Sequence, residues 1–462
     1  MTVPTFTFGK IPVEAWEYPA IVLVILIASI AGSQVTRKYG RTDPSWRYFL
    51  PGLWLKIGGG IFFSLIYLLY YRGGDTTSYY ECSLAFVNLL LEHPLRFFEA
   101  YAGGGTIEIK SLFTAETGSP MGYMFFEDKA RMVIKLCVPF LLISGKSYLL
   151  STVLLSIVTY FGLWRLYRMF VAYFPAFYRN LALAILFMPS VIFWGSGILK
   201  DSFTLAATCY FIVATNNLIT GGKRKLLSWI SLFISGFIIV AIKPYILIIL
   251  LPGTFVWYFY NKIKGIRNVY FRYIMVPFVY IIILGTSYGL LTTLGDSLGR
   301  FAPEKALQTA VVIQNDLKQE YYDGASFDIG QLEATPTSLL SKFPVAVIAG
   351  LYRPFIWESH NAVMLLSGLE NLFILGLTLV VLVSLKPKVI RQLLRDQPVI
   401  LYSLAFAILF AFMIGVTTSN FGALVRFKIP LIPLYMAAIM IMYSHLRSFK
   451  VRKDSRRIRL FR

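Results

Sequence analysis

Residues 361–385 read NAVMLLSGLENLFILGLTLVVLVSL, and the chain turns abruptly basic at Lys386-Pro-Lys388. A helix rises about 1.5 Å per residue and a bilayer's hydrocarbon core is about 30 Å thick, so roughly 20 apolar residues cross it. This stretch predicts a transmembrane helix whose end is marked by charge. The runs 148–170 and 273–294 read the same way. The rest of the composition agrees, at 57% hydrophobic and only 15% charged residues over 462 positions. A soluble domain cannot hide that much apolar surface from water.

The formal charge of +21 raises the question of nucleic acid, which the placement of the charges answers. Six segments, 34–47, 164–180, 220–226, 261–272, 386–397 and 446–462, hold 26 of the 44 Lys and Arg against three acids, Asp43, Asp396 and Asp454. The excess therefore sits in short connections between apolar runs. That is the bias of cytoplasmic loops, and no nucleic-acid partner is expected. Cys82, Cys137 and Cys209 lie in apolar surroundings and suggest packing, neither a disulfide framework nor a metal site. The first apolar run follows Glu14 and Glu17 and precedes Arg37, Lys38 and Arg41, which suits a retained first helix with its N-terminus outside.

With the basic segments inside, eleven crossings fall near 18–33, 48–71, 148–163, 181–195, 202–219, 227–242, 244–260, 273–293, 362–385, 398–416 and 428–445. The run 132–144 is short and carries Lys135, so it reads as re-entrant or interfacial, as does 345–356. The expected fold is all-α: a polytopic transmembrane helix bundle in one integral membrane domain, 1–462, of the plasma membrane. Residues 72–131 and 294–345 form two large external loops, and 446–462 a basic cytoplasmic tail attracted to anionic membrane lipids. Within the first loop, 83–101 alternates apolar and charged residues as an amphipathic helix on the membrane surface would.

The unusual polar residues collect on the outer side. They are Arg72-Gly-Gly-Asp75 with Tyr79 and Tyr80, Lys200-Asp201, Lys243 before Pro244, Arg353-Pro-Phe-Ile-Trp-Glu358, and Thr417-Thr-Ser-Asn420 leading to Arg426 and Lys428. Ionisable groups near a bilayer need partners or a wet cavity. Several cations with few neutralising acids suit a phosphate or pyrophosphate, Arg by bidentate contact and Lys as a point charge. A carboxylate on a Gly-containing turn suits a general base for a hydroxyl nucleophile. Each feature also has a plain structural alternative: Asp75 as a helix cap, Lys200-Asp201 as a capping ion pair, Lys243 snorkelling to headgroups, Arg353 with Glu358 holding a loop, and Arg426 as a flanking anchor.

Arg72-Gly-Gly-Asp75-Thr-Thr-Ser-Tyr79-Tyr80 resembles an Asp-Thr-x-x-Tyr element after an early helix in exopolysaccharide polymerases, and more loosely the first-loop aspartate of GT-C membrane glycosyltransferases. Residues 193–202 and 353–358 look similar to motifs of the same general kind; together the matches cover about 30 positions. The resemblance implies a GT-C-like fold, a polyprenyl-phosphate or polyprenyl-diphosphate sugar donor, a glycan or lipid acceptor, and inverting transfer on the non-cytoplasmic side, as in polysaccharide biosynthesis at a cell envelope. Asp75 would then be catalytic, with Arg72, Tyr79, Tyr80, Lys200, Asp201, Lys243, Arg353, Glu358 and Arg426 binding substrate around one cavity. No Glu follows Asp75 as in several GT-C groups; the next acid is Glu81. No cofactor is required by this reading, and a divalent cation is compatible with it. A transporter or flippase for an anionic lipid-linked substrate, and an assembly subunit of an envelope complex, are the competing classes. On this topology, a cysteine placed at position 325 reacts with an impermeant reagent on intact cells, and one at position 455 does so only after lysis; the reverse pattern contradicts the orientation.

Overall fold

The computed structural model describes residues 5–8, 11–222, 224–264, 312, 326–327, 330 and 335–460. Apart from a small antiparallel hairpin, β1 (Thr5–Phe8) with β2 (Ile11–Glu14), the described elements are helical. They are α1 (Glu17–Gly40), a 3-10 turn at Pro44–Tyr48, α2 (Phe49–Leu65) closing in a π turn at Ile66–Tyr70, α3 (Asp75–Glu92), α4 (Pro94–Ala102), α5 (Ile107–Lys110), α6 (Gly122–Phe125), α7 (Asp128–Ile143) and α8 (Tyr148–Tyr173). Then follow α9 (Tyr178–Leu186), α10 (Pro189–Trp194), α11 (Lys200–Ile219), α12 (Lys225–Ile242), α13 (Pro244–Lys264), α14 (Pro336–Ser341) and α15 (Phe343–Tyr352). The last are α16 (Ala362–Ser384), α17 (Pro387–Asp396), α18 (Pro398–Thr417), α19 (Phe421–Phe427) and α20 (Ile432–Leu460).

Among the described residues seven helices are long and apolar enough to cross a membrane, at Glu17–Gly40, Pro44–Tyr70, Tyr148–Tyr173, Lys200–Ile219, Lys225–Ile242, Ala362–Ser384 and Pro398–Thr417. An eighth results if α19 and α20, bent by 69°, are one broken span. Large side chains on these helices point outward, such as Leu226, Phe233 and Phe237 of α12 and Leu366, Phe373 and Val383 of α16. Rows of exposed Leu and Phe on this scale suit lipid and not water. The chain is thus a multi-pass, mostly helical membrane protein.

Two expectations change. The crossing expected at 181–195 is two short helices, α9 and α10, because Pro189 lacks a backbone N–H and disfavours helix in the residue before it. The surface helix expected at 83–101 is broken at His93-Pro94, and α3 buries Tyr79, Cys82, Phe86 and Leu89 instead of lying open. Only α4 keeps the two-sided character, with Phe97 buried and Leu95 and Phe98 exposed. The run expected at 244–260 is helical within α13, its apolar part Pro244–Tyr260 falling just short of the seven spans in length. The crossing at 273–293 and most of the loop 294–345 lie outside the described residues. The run 132–144 forms α7, whose 16 residues reach about 24 Å, short of a full crossing as expected.

Contacts divide the chain into two compact units. One comprises Met1–Leu166, Val191–Phe211 and Phe233–Lys243; the other comprises Tyr167–Ser190, Ile212–Leu232 and Pro244–Arg462. In the first, α3 packs on α7, and buried Glu17 at the start of α1 accepts from the Glu14 N–H at 2.9 Å and from the Ser147 hydroxyl. In the second, α15 packs backbone to backbone on α18, each bringing an Ala-x-x-x-Gly step to the contact: Ala346 with Gly350, and Ala411 with Gly415. A side chain at Gly350 would strike the Ala411 carbonyl, and one at Gly415 the Ala346 carbonyl. Small residues at this spacing let two backbones approach where no hydrophobic drive between helices exists.

Gly350→Leu should therefore lower the unfolding temperature of the detergent-purified protein by several degrees, a loss of about 1–3 kcal/mol or more from overpacking. Gly376→Ala in α16, where the added carbon meets nothing within 4 Å, should leave it unchanged or slightly higher.

Candidate functional site

In the first unit the chain leaves the π turn of the second span through Arg72, Gly73 and Gly74, with φ of 52°, 148° and 131°. At Gly74, whose ψ is −171°, only glycine is at ease, and an added Cβ would also lie 2.8 Å from the Tyr67 ring. The Gly73 N–H donates to the Tyr67 carbonyl at 3.0 Å. The Gly74 carbonyl accepts from the Thr77 hydroxyl at 2.8 Å and the Ser78 N–H at 3.1 Å. This reversal sets Asp75 as the first residue of α3, where the helix dipole favours a carboxylate. Arg72 and Asp75 are both exposed.

Tyr79 and Tyr80, one turn further along α3, are buried. The Tyr80 hydroxyl donates to the Lys146 carbonyl at 2.7 Å and its ring packs edge-on to Tyr148. Burial holds the Tyr80 phenol above its usual pKa, with Glu17 and Glu81 adding to the shift. Its hydroxyl is engaged by backbone here.

Lys200 and Asp201 open α11, and the turn before them is held by three side chains. The Lys56 ammonium, from within α2, donates to the carbonyls of Val191 at 2.9 Å and Gly195 at 2.6 Å. Ser156 of α8 donates to the Ser196 carbonyl at 3.0 Å, and Ser202 to the Gly197 carbonyl at 2.6 Å. Lys200 then reaches both carboxylate oxygens of Glu127 at 3.0 Å, in a pair open to solvent on its Glu127 side. Asp201 instead meets the Lys243 ammonium at 2.5 Å, and both side chains are nearly fully enclosed. Neither Asp201 nor Lys243 presents its charge outward as the sequence reading had it; they neutralise one another inside the unit.

In the second unit Arg353 follows α15 and binds Glu358 at 2.8 Å. A second oxygen of Glu358 accepts from the Phe355 N–H at 2.8 Å, so one carboxylate closes the turn and holds the guanidinium. The Arg353 guanidinium also lies over Phe327, 5.1 Å from its ring centre. Phe327 donates its N–H to the Ser419 carbonyl at 2.7 Å and stacks on Phe421 at 5.3 Å. The Thr417-to-Asn420 element thus meets the Arg353 element through one aromatic ring. Asn420 caps α19 by accepting from the Ala423 N–H. Arg426, half-buried, stands in the last turn of that helix.

Beneath this turn Lys428 donates to the Arg353 carbonyl at 3.2 Å and to the Asn371 side chain, which itself donates to the Pro354 carbonyl at 2.9 Å. Glu370, the neighbour of Asn371 in α16, accepts from the Ser190 N–H at 2.7 Å and hydroxyl at 2.5 Å. Sequence reasoning missed Lys56, Glu127, Glu370 and Asn371 and passed over Lys428 as a flanking cation. Lys56 and Glu370 carried a usable signal, a single charge inside an otherwise apolar run.

The structure brings together Asp201 with Lys243, Lys200 beside them, and Arg353 with Glu358. It places Asp75 on α3 with Tyr79 and Tyr80, and Arg426 on α19. Among the described residues no cluster of three or more His, Cys, Asp or Glu could hold a metal ion. No sequence family, curated protein or solved structure matches the chain.

The enclosed Asp201–Lys243 pair yields a test. Lys243→Met or Asp201→Leu alone leaves a buried charge without its partner and should cost about 3–5 kcal/mol, while the double variant should recover most of that. Thermal unfolding of the three purified variants measures the coupling; additive losses would show that the pair is not a unit.

Proposed function

We propose that the protein is a membrane glycosyltransferase or polysaccharide polymerase, moving sugar from a polyprenyl-phosphate or polyprenyl-diphosphate donor to an acceptor hydroxyl on the non-cytoplasmic side. The observation that carries this reading is Asp75, an exposed carboxylate fixed at a helix start by three successive residues of positive φ. Positive φ is costly at Arg72, which carries a Cβ, and strained backbone of this kind collects at functional positions. Asp75 takes the role of general base, accepting the acceptor's proton as its oxygen attacks the sugar's anomeric carbon and the lipid phosphate leaves. Arg72, exposed beside it, contributes charge near the reacting groups.

We assign the donor phosphate to cations that keep some exposure. Arg353 is one-quarter exposed, and its planar fork suits bidentate phosphate contact. Arg426 and Lys200 add positive charge without full enclosure. Glu358 holds Arg353 in place, and the Asp201–Lys243 pair supports the turn that carries Lys200.

A second reading, a transporter or flippase of an anionic lipid-linked substrate, is favoured by the broken helices α9/α10 and α19/α20. Discontinuous helices whose ends face a substrate are a feature of transport folds. The two readings differ in product: one makes a glycosidic bond, the other moves an unchanged molecule.

Asp75→Asn keeps the shape of the side chain and removes its basicity. With purified protein and a lipid-linked sugar it should lower turnover by roughly 10² to 10⁴ while leaving donor binding nearly intact. Arg353→Ala should instead weaken donor binding, by about 1.5–3 kcal/mol per charge-assisted bond lost. Full transfer activity in a normally expressed Asp75→Asn protein would remove the base assignment, and vesicle-to-vesicle movement without a new glycosidic bond would favour the transporter.

A further inference from the structure

Between α16 and α18, both long and apolar enough to cross a membrane, the chain reads Lys386-Pro-Lys-Val-Ile-Arg-Gln-Leu-Leu-Arg-Asp-Gln397. Pro387 and Pro398 set the two corners, since each disfavours helix in the residue before it: Lys386 and Gln397 leave the helical region, with ψ of 138° and 84°. The 10 residues of α17 lie between them and span about 15 Å. That cannot cross a bilayer, so α17 lies at the membrane face where its two flanking spans end. Nothing in the proposed transfer reaction uses it.

A helix turns by about 100° per residue, and α17 divides cleanly at that pitch. Val389, Ile390, Leu393 and Leu394 fall within one arc of about 140° and are half-buried. Lys388, Arg391 and Arg395 fall within about 60° on the opposite side and are exposed, as is Lys386 at the entry. Asp396, the one acid of the connection, stands about 100° round from Arg395. The Tyr260 hydroxyl of α13 donates to the Arg395 carbonyl, taking one of the acceptors that the helix end sets free. The backbone of α17 is thereby tied down at its end while its cationic side chains stay exposed.

Like charges three and four positions apart weaken a helix. Lys388 with Arg391, and Arg391 with Arg395, repeat that cost on one face, and a layer of negative charge removes it. The surroundings of α17 say which layer. The last turns of α16 leave Leu379, Leu382 and Val383 exposed, an aliphatic stripe that runs into Lys386. A lipid whose chain lies along that stripe has its phosphate at the level of Lys386 and Lys388. An acidic protein would meet the cations alone; a phospholipid uses both features.

We propose that α17 is an anionic-lipid-binding helix, lying flat in the interface with its apolar face toward the hydrocarbon edge and Lys386, Lys388, Arg391 and Arg395 among the phosphates of anionic glycerophospholipids. A cluster of Lys and Arg on an amphipathic helix beside a span recognises such headgroups by charge and holds them by its apolar half.

The test is hydrogen–deuterium exchange of residues 387–397 in the full-length protein, reconstituted in nanodiscs of phosphatidylcholine alone or with about one-third phosphatidylglycerol. Wild type should exchange at least about fivefold more slowly in the anionic discs, in keeping with the pull of such a surface on each nearby Lys or Arg, and high salt should abolish the difference. The quadruple variant Lys386→Gln, Lys388→Gln, Arg391→Gln, Arg395→Gln should exchange alike in both discs, and Arg391→Lys with Arg395→Lys should keep the difference. If the quadruple variant does not reconstitute, Arg391→Gln and the salt dependence of the wild type decide by the same ratio. Equal exchange in the two lipids, or a difference that persists in the Gln variants, overturns the proposal. Equal protection in phosphatidylcholine discs from added inorganic phosphate would assign the face to a free anion, and from polyglutamate to an acidic protein; either overturns the lipid assignment. Exchange is read without any transfer assay, so a failed Asp75 assignment leaves this result in place.

Discussion

The ammonium of Lys56, enclosed in the middle of α2, donates to the carbonyls of Val191 and Gly195. A bilayer offers no water to carbonyls that a helix end sets free, so each must find a donor inside the protein. The end of α10 creates that need, and Lys56 meets it twice, with Ser156 and Ser202 pairing the carbonyls of Ser196 and Gly197. Two charge-assisted bonds offset much of the cost of burying the ammonium. Replacing the lysine by an apolar residue would orphan both carbonyls, each at about 1–3 kcal/mol. The turn before Lys200-Asp201, and with it the whole start of α11, rests on this contact. The second unit solves the same problem at the end of α15, where Lys428 and Asn371 take the carbonyls of Arg353 and Pro354.

Once backbone needs are met, the remaining charges sort by exposure. Asp201 and Lys243 cancel inside the first unit, and Glu370 spends both oxygens on Ser190. None of these can take up a proton or an anion from outside without breaking a buried contact. Asp75, Arg72, the Lys200–Glu127 pair and the Arg353–Glu358 pair keep part of their surface open. This is why the proposed chemistry rests on Asp75 for the proton and on Arg353, Arg426 and Lys200 for the phosphate, while Asp201 and Lys243 become scaffolding.

Spans such as 362–384 were legible because length and hydropathy are local properties, and the Arg72-Gly-Gly-Asp75 turn because two glycines before a polar helix start announce positive φ. The break at 187–188 could have been read from Pro189 but was outweighed by the apolar run around it. The partners of buried charges were not legible: Lys56 meets residues 135 and 139 positions away, and Glu370 meets one 180 away. Periodicity tells which face of a helix is apolar and says nothing about which distant carbonyl awaits a donor. Tyr80 illustrates the same limit, since an aromatic residue next to a polar turn looks available in sequence, and only its packing against Tyr148 and its bond to the Lys146 carbonyl show it committed.

The turn before α3 carries one more piece of information. Positive φ at Gly73 and Gly74 follows from residue type, but Arg72 also adopts φ of 52° although it pays for its Cβ there. A third glycine would make the same reversal with less strain. What arginine adds is a guanidinium at the exposed mouth of the helix, three residues before Asp75, on a backbone that the flanking turn holds still. Strain kept for the sake of a side chain points to use of that side chain, and in the proposed transfer a cation carried three residues before the carboxylate would serve the departing phosphate while Asp75 serves the acceptor hydroxyl.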